Sequence, residues 1–150
     1  MPIDPNSQQR FLKYIQARTT GLPVAYILGE KEFYGRDFMV TSDTLVPRPE
    51  TEHLIDGVLK WAKQSRSNFA SSSLDILDIG TGTGCIGLTL ALELDNVGIL
   101  AVDKSPKALM VAQQNSEALG TTDWVDFNEG DLFQTVGSRQ FHVIVSNPPY

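Results

Sequence analysis

A glycine-rich stretch joins a strand-like run to a helical pattern in the middle of the chain. It consists of Asp78-Ile79-Gly80-Thr81-Gly82-Thr83-Gly84, between an apolar run at Leu74 to Ile79 and a helical pattern at Cys85 to Leu94. Glycines permit positive φ and let the backbone approach a ligand without an intervening Cβ. The N–H groups of the following helix face the crevice at the carboxyl ends of parallel strands. The pattern predicts a cofactor site; the plainer alternative is a tight turn.

Two kinds of cofactor fit this loop. The glycines from Gly82 to Gly87 satisfy the G-x-G-x-x-G pattern of dinucleotide-binding folds, and Asp103 follows at about the 20 residues expected of a ribose-binding acid. An acid ahead of the turn, Asp78, instead suits a cationic ligand, and S-adenosylmethionine carries an ammonium and a sulfonium group. Asp131, after the third expected strand, suits an exocyclic adenine amine. These acids favour S-adenosylmethionine over a dinucleotide.

An Asn-Pro-Pro-Tyr sequence follows the last apolar run. An amide or aromatic amine is a poor nucleophile because its lone pair is delocalised, so a site that methylates it must accept hydrogen bonds from its NH₂ group. The Asn147 carboxamide and the Pro148 carbonyl are acceptors, Pro149 stiffens the backbone, and Tyr150 offers a planar face. We predict that all four bind substrate and that Asn147, Pro148 and Tyr150 are catalytic through orientation and electrostatics. A proline-rich turn is the alternative.

The elements that must position these residues alternate between strands and helices. From Leu74 onward the order strand, helix, strand, helix, strand, strand predicts an open parallel α/β sheet, with the last strand beside the first. The later elements expected are strands at 97–102, 124–127 and 141–145 and a helix that Ser105 caps and Gly120 ends. The earlier ones are a helix at 6–18 capped by Asn6 or Ser7, a β-hairpin at 32–41, a helix from Pro49 and a Ser-rich linker at 64–73.

Composition and charge narrow the function classes. The 150 residues are 41% hydrophobic and 20% charged, which is typical of a globular domain. The formal net charge of −6 disfavours a dedicated nucleic-acid binder. One cysteine, Cys85, excludes an internal disulfide, and His53 and His142 lack ligand-spaced partners, so we expect no metal site. With no apolar run of about 20 residues and no signal pattern, we expect a cytoplasmic protein without membrane partners.

Five motifs stand out together in the chain. In chain order they are Gly21-Leu22-Pro23-Val24-Ala25-Tyr26-Ile27-Leu28-Gly29, Glu32-Phe33-Tyr34-Gly35, Leu45-Val46-Pro47-Arg48-Pro49-Glu50-Thr51-Glu52, Asp78 to Gly84, and Ser146 to Tyr150. Together they resemble the release factor glutamine N5-methyltransferases of the HemK/PrmC type. The third motif is the most telling, because Asn-Pro-Pro-Tyr also occurs in DNA adenine methyltransferases.

The resemblance implies a Rossmann-like class I S-adenosylmethionine-dependent methyltransferase, with a helix and a β-hairpin ahead of the first half of its sheet. The implied substrate is the Gly-Gly-Gln glutamine of class 1 peptide chain release factors, in translation termination. Asn147 to Tyr150 would bind this glutamine, and Arg48 and Glu50 would line the cofactor cleft. The implied cofactor contacts are Asp78, Gly80 to Gly84, Asp103, Asp131, Asn147 and Leu132, where the family often has Trp.

We expect a fragment with three parts: residues 1–30 as a remnant of a helical substrate-recognition region, 31–48 as hairpin and connector, and 49–150 as a partial methyltransferase domain. Two alternatives to glutamine methylation stay open. One is a DNA or RNA adenine N6-methyltransferase that uses the same Asn-Pro-Pro-Tyr. The other is an inactive truncated product.

Overall fold

In the computed structural model, which describes residues 2–68 and 73–149, two helices and a hairpin precede the main sheet. They are α1 (Pro5–Thr19), α2 (Val24–Leu28), β1 (Glu30–Phe33) and β2 (Arg36–Met39). A 3₁₀ turn at Pro49–Thr51 leads into α3 (Glu52–Ser65), and another follows at Arg66–Asn68. β1 and β2 pair antiparallel, which confirms a hairpin, although it spans 30–39 and not the predicted 32–41. The linker starts later than predicted, because α3 continues through Ser65; residues 69–72 lie outside the described residues.

The main sheet is built from four parallel strands. These are β3 (Leu74–Ile79), β4 (Val97–Asp103), β5 (Val125–Glu129) and β6 (Val143–Ser146), with α4 (Cys85–Glu93) and α5 (Pro106–Leu119) in the connections. The order β5-β4-β3-β6 confirms that the last strand lies beside the first. Alternate residues of β3 enter two apolar clusters, Ile76 in one and Leu77 in the other. Both faces of this central strand are therefore covered, as expected for a parallel sheet.

Two features at the N-terminal end differ from the sequence-based expectation. α1 is capped by Asp4, whose carboxylate accepts a hydrogen bond from Ser7 N–H, so the predicted caps Asn6 and Ser7 are wrong. Pro5 explains the shift, because proline fits the first helical position and the cap then falls one residue earlier. Helix α2 was not predicted. It spans only five residues and ends at Gly29, whose φ is 78°.

The last strand starts later than predicted. His142 Nδ1 accepts a hydrogen bond from Asp75 N–H at 3.0 Å, and His142 N–H donates to Asp75 O at 2.8 Å. The imidazole thus takes a place that a backbone carbonyl would hold, and the regular ladder begins only at Val143, paired with Ile76. Among the helices at 2–68 and 73–149, none combines the length and apolar character of a membrane span.

Candidate functional site

The glycine loop follows β3 directly and lies over the ends of β3 and β4. Gly80 and Thr81 both donate their N–H groups to Val102 O, at 2.8 and 3.0 Å. Gly80, Gly82 and Gly84 have φ of 70°, 56° and 82°, a region that residues with a Cβ rarely adopt. Gly84 is also the N-cap of α4. The glycines therefore fix the loop conformation, as their spacing predicted.

The carboxylate of Asp78 lies beneath this loop and is completely buried. Its Oδ2 accepts hydrogen bonds from the Thr81 hydroxyl at 2.7 Å and from Gly87 N–H at 3.1 Å. Its Oδ1 has no hydrogen-bond partner among the described residues. Burial raises the pKa of Asp78 to about 6, although the Thr81 and Gly87 hydrogen bonds act in the opposite direction. Asp78, the acid expected to face a cationic ligand, thus contacts the glycine loop from its buried side.

Asp103 ends β4 and also stabilises the loop. Its Oδ2 accepts a hydrogen bond from Gly82 N–H and its Oδ1 accepts one from Ser105 N–H, each at 2.9 Å. A carboxylate oxygen can accept more than one hydrogen bond, so these contacts leave capacity for ribose hydroxyls. Gly130 N–H donates to Asp103 O at 3.0 Å, which places the segment after β5 beside the end of β4.

That segment carries Asp131 and Leu132, both exposed. Leu132 adopts a positive φ of 49° and has 58% of its surface exposed, and its neighbour Phe133 has 56% exposed. Apolar side chains thus remain open to solvent next to the carboxyl end of the sheet. The structure brings Asp131 and Leu132 to the same edge as Asp103; their contact with an adenine ring stays a prediction.

The end of β6 is tied to the start of the glycine loop. Ser146 pairs with Ile79, and the Ser146 hydroxyl donates to Ile79 O at 2.9 Å. Asn147 follows immediately, and its Nδ2 donates to the Thr51 hydroxyl at 2.9 Å. Pro148 and Pro149 are exposed. Asn147 therefore follows directly on the residue that contacts the start of the loop. Tyr150 lies outside the described residues, and its role stays a prediction.

Two polar residues at the site were missed by the sequence reasoning. One is Thr51, the buried partner of Asn147, which is far away in the chain. The other is Asn115 on α5: its Oδ1 accepts from Met39 N–H, and its Nδ2 donates to Met39 O and Thr83 O. Asn115 thereby connects the hairpin to the glycine loop. The sequence carried a signal for Asn115, because it is a polar residue at a position on the apolar face of α5.

Other conspicuous side chains contribute little reactive chemistry. Cys85 is buried, and burial raises the pKa of its thiol to about 12, so it is a packing residue as expected. Arg48 and Glu50 are exposed beside the 3₁₀ turn that opens α3. Within the described ranges, no group of His, Cys, Asp and Glu side chains is arranged to hold a metal ion.

Residues 65–150, more than half of the chain, match the family model described as the methyltransferase small domain. The chain belongs to this family. Among curated proteins, the release factor glutamine methyltransferase of Koribacter versatilis is 46% identical over 149 residues, covering 99% of this chain and 50% of the relative. The Bacillus subtilis protein of the same name is 43% identical over 152 residues, covering 99% and 51%.

These relatives confirm the resemblance drawn from the motifs. The chain spans about half the length of the curated methyltransferases it matches. Among solved structures, an RNA methyltransferase from Salinibacter ruber in complex with S-adenosyl-L-homocysteine has a TM-score of 0.52 and 25% identity, over 67% of this chain and 60% of that one. A methyltransferase from Agrobacterium tumefaciens has a TM-score of 0.60 and 21% identity, over 80% and 39%. They confirm the class I methyltransferase fold.

Proposed function

We propose that this chain transfers a methyl group from S-adenosylmethionine to the side-chain amide nitrogen of the Gly-Gly-Gln glutamine in class 1 peptide chain release factors. One observation carries the proposal: the Ser146–Ile79 hydrogen bond joins Asn147 and Pro148 to the glycine loop. The names of the relatives that match 99% of the chain support the glutamine substrate. The process would be translation termination, in the cytoplasm.

The loop fits a cofactor with positive charge. A Cβ built on Gly80 or Gly82 would meet no atom within 4 Å, so the space over these glycines is open. The Asp103 carboxylate contacts the loop at Gly82, and Asp131 follows Gly130, which is bound to Asp103. Carboxylates at this edge suit sulfonium and ammonium groups better than a pyrophosphate. S-adenosylmethionine supplies a methyl group on a sulfonium. We assign its contacts to Gly80 to Gly84, Asp103, Asp131, Leu132 and Asn147, with Asp78 acting through the loop.

The substrate amide would be bound by the chain's own acceptors. The Asn147 carboxamide oxygen and the Pro148 carbonyl accept hydrogen bonds from the glutamine NH₂ group and thereby orient its lone pair. The nitrogen would form a bond to the methyl carbon while the S–CH₃ bond of the sulfonium breaks, which leaves a neutral thioether, and the nitrogen would release one proton to solvent. Tyr150 supplies a planar face for the amide. Orientation and electrostatic placement then supply the catalysis, and no protein nucleophile is required.

The exposed N-terminal helix supports a separate role for the N-terminal residues in binding the protein substrate. Helix α1 buries no side chain, and Phe11 and Leu12 have 60% and 58% of their surface exposed. We assign residues 1–30 to recognition of the protein substrate, 31–48 to the hairpin and connector, and 49–150 to the methyltransferase domain. The net charge of −6 supports a protein substrate over a nucleic acid or an anionic membrane.

Incubation of the chain with radiolabelled S-adenosylmethionine and a class 1 release factor tests the proposal. We expect label on the Gly-Gly-Gln glutamine, located by mass spectrometry, and at least a ~100-fold lower rate for Asn147→Ala because an orienting acceptor is lost. Asn68→Ala, an exposed change in the 3₁₀ turn after α3, is the matched control. Calorimetric binding of S-adenosylmethionine without any transfer would exclude this activity for the chain and favour the inactive alternative.

A second candidate is an adenine N6-methyltransferase acting on DNA or RNA. The similarity to the Salinibacter ruber RNA methyltransferase and the Asn-Pro-Pro-Tyr sequence favour it, whereas the acidic charge does not. Methylation of an adenine-containing oligonucleotide that weakens steeply with added salt would identify this activity, because phosphate binding is salt-dependent.

A further inference from the structure

One long-range hydrogen bond connects the two most distinctive motifs of the chain. Asn147 Nδ2 donates to Thr51 Oγ1 at 2.9 Å, although the residues are 96 positions apart. Thr51 belongs to the Pro-Arg-Pro-Glu-Thr-Glu sequence and only 8% of it is exposed. Asn147 opens the Asn-Pro-Pro-Tyr sequence. The contact therefore joins the start of α3 to the end of β6 at the glycine loop.

Both ends of this contact are fixed by the fold. Thr51 N–H donates to Arg48 O within the 3₁₀ turn, and the following helix buries Ile55 completely. Threonine is β-branched, so its hydroxyl has few rotamers to choose from. On the other side, the Ser146 hydroxyl is bound to Ile79 O. The Thr51 hydroxyl is thus a stationary partner for the Asn147 carboxamide.

A carboxamide presents two different ends, and only one serves the proposed chemistry. Its oxygen accepts a hydrogen bond from an NH₂ group, whereas its own NH₂ group repels one. Because Thr51 binds Nδ2, the oxygen is left for the substrate. We infer that Thr51 is a positioning residue that fixes the Asn147 carboxamide with its oxygen available to the glutamine amide. This inference rests on the proposed glutamine methylation.

Kinetics of matched variants test the inference. Thr51→Val keeps the side-chain shape but removes the hydroxyl, and we expect kcat to fall about tenfold, as for loss of one hydrogen bond. Thr51→Ser keeps the hydroxyl and should restore most of the rate. Thr89→Val is the control, because Thr89 is fully buried and its hydroxyl has no hydrogen-bond partner among the described residues. A rate for Thr51→Val equal to the wild-type rate would overturn the inference.

A second measurement separates this inference from the proposed function. In ¹⁵N NMR of the chain, the side-chain amide of Asn147, assigned by its loss in Asn147→Ala, should show slowed hydrogen exchange in the wild type and in Thr51→Ser. The amide should exchange faster in Thr51→Val. If Thr51→Val melts at a lower temperature than the wild type, Thr51→Ala takes its place and should also show faster exchange. Equal exchange in all variants overturns the positioning role even if methyl transfer is observed. Absent transfer with this exchange pattern overturns the proposed function alone.

Discussion

Replacing Asp78 with Asn should remove a pH dependence of folding stability that the wild-type chain carries. Burial raises the pKa of this carboxyl group from 3.8 to about 6 in the folded state. The folded state therefore binds the proton more tightly than the unfolded state does. As the pH rises from about 4 to about 6, the unfolded carboxyl ionises first and stability falls, and above the folded-state pKa the loss is complete.

The size of the effect follows from the shift. A difference of about two pKa units, at about 1.4 kcal/mol each, is about 3 kcal/mol. That is a large part of the 5–15 kcal/mol by which domains are typically stable. Burial is the largest cause of the raised pKa of Asp78; the negative charge of Asp103 adds to it, and the hydrogen bonds from Thr81 and Gly87 oppose it. An Asn side chain keeps an oxygen to accept these two hydrogen bonds but does not titrate.

Urea unfolding at a series of pH values from 3.5 to 7.5 measures the effect. The free energy of unfolding of Asp78→Asn minus that of the wild type should increase by about 3 kcal/mol across this range. Asp126→Asn, an exposed change on β5, controls for the altered net charge and should give a nearly constant difference. A constant difference for Asp78→Asn as well would refute the conclusion that burial governs this carboxyl.

Three further predictions concern the loop and its supports. In urea unfolding, Gly84→Ala should lower the free energy of unfolding by about 2–4 kcal/mol, because φ is 82° and the new Cβ would lie 2.9 Å from Leu88 Cδ1. Gly57→Ala, on open helix surface, should instead raise it by about 0.8 kcal/mol. Asn115→Leu should cost about 3 kcal/mol in the same assay and weaken S-adenosylmethionine binding in calorimetry, since three hydrogen bonds are lost. Cys85 should resist iodoacetamide in the native chain and react in urea, by mass spectrometry.

The regular elements of the sheet could be predicted because their signals are local. β3 begins and ends where the apolar run does, and α5 has the predicted Ser105 cap and the predicted Gly120 end. The predictions failed where a neighbour in space decides the outcome. β6 starts at Val143, after His142 has bound the backbone of Asp75 through its ring, and no local pattern reveals that contact.

The residues of the candidate site also differ in whether local sequence or a neighbour in space determines their role. The glycines and Asp103 were identifiable from spacing, because a loop between strand and helix needs specific backbone angles. That Asp78 lies under the loop could not be foreseen, since its burial depends on how α4 packs through Gly87. The role of Thr51 could not be predicted either, because it depends on β6 bringing Asn147 within hydrogen-bond distance. Asn115 was accessible in principle, as a polar side chain on an apolar helix face.

The geometry of the site depends on the register of β3. Ile79 is paired with Val102 on one side and with Ser146 on the other, so the end of this strand holds the glycine loop and the Asn-Pro-Pro sequence together. A shift by one residue would turn Ile76 and Leu77 to the wrong faces of the sheet, because side chains alternate along a strand. Both residues are fully buried, in separate apolar clusters. Such a shift would remove Ile76 and Leu77 from the apolar clusters in which they are buried, and the free-energy cost of this loss keeps β3 in its register. The apolar core therefore determines which residues meet at the loop, including Asn147.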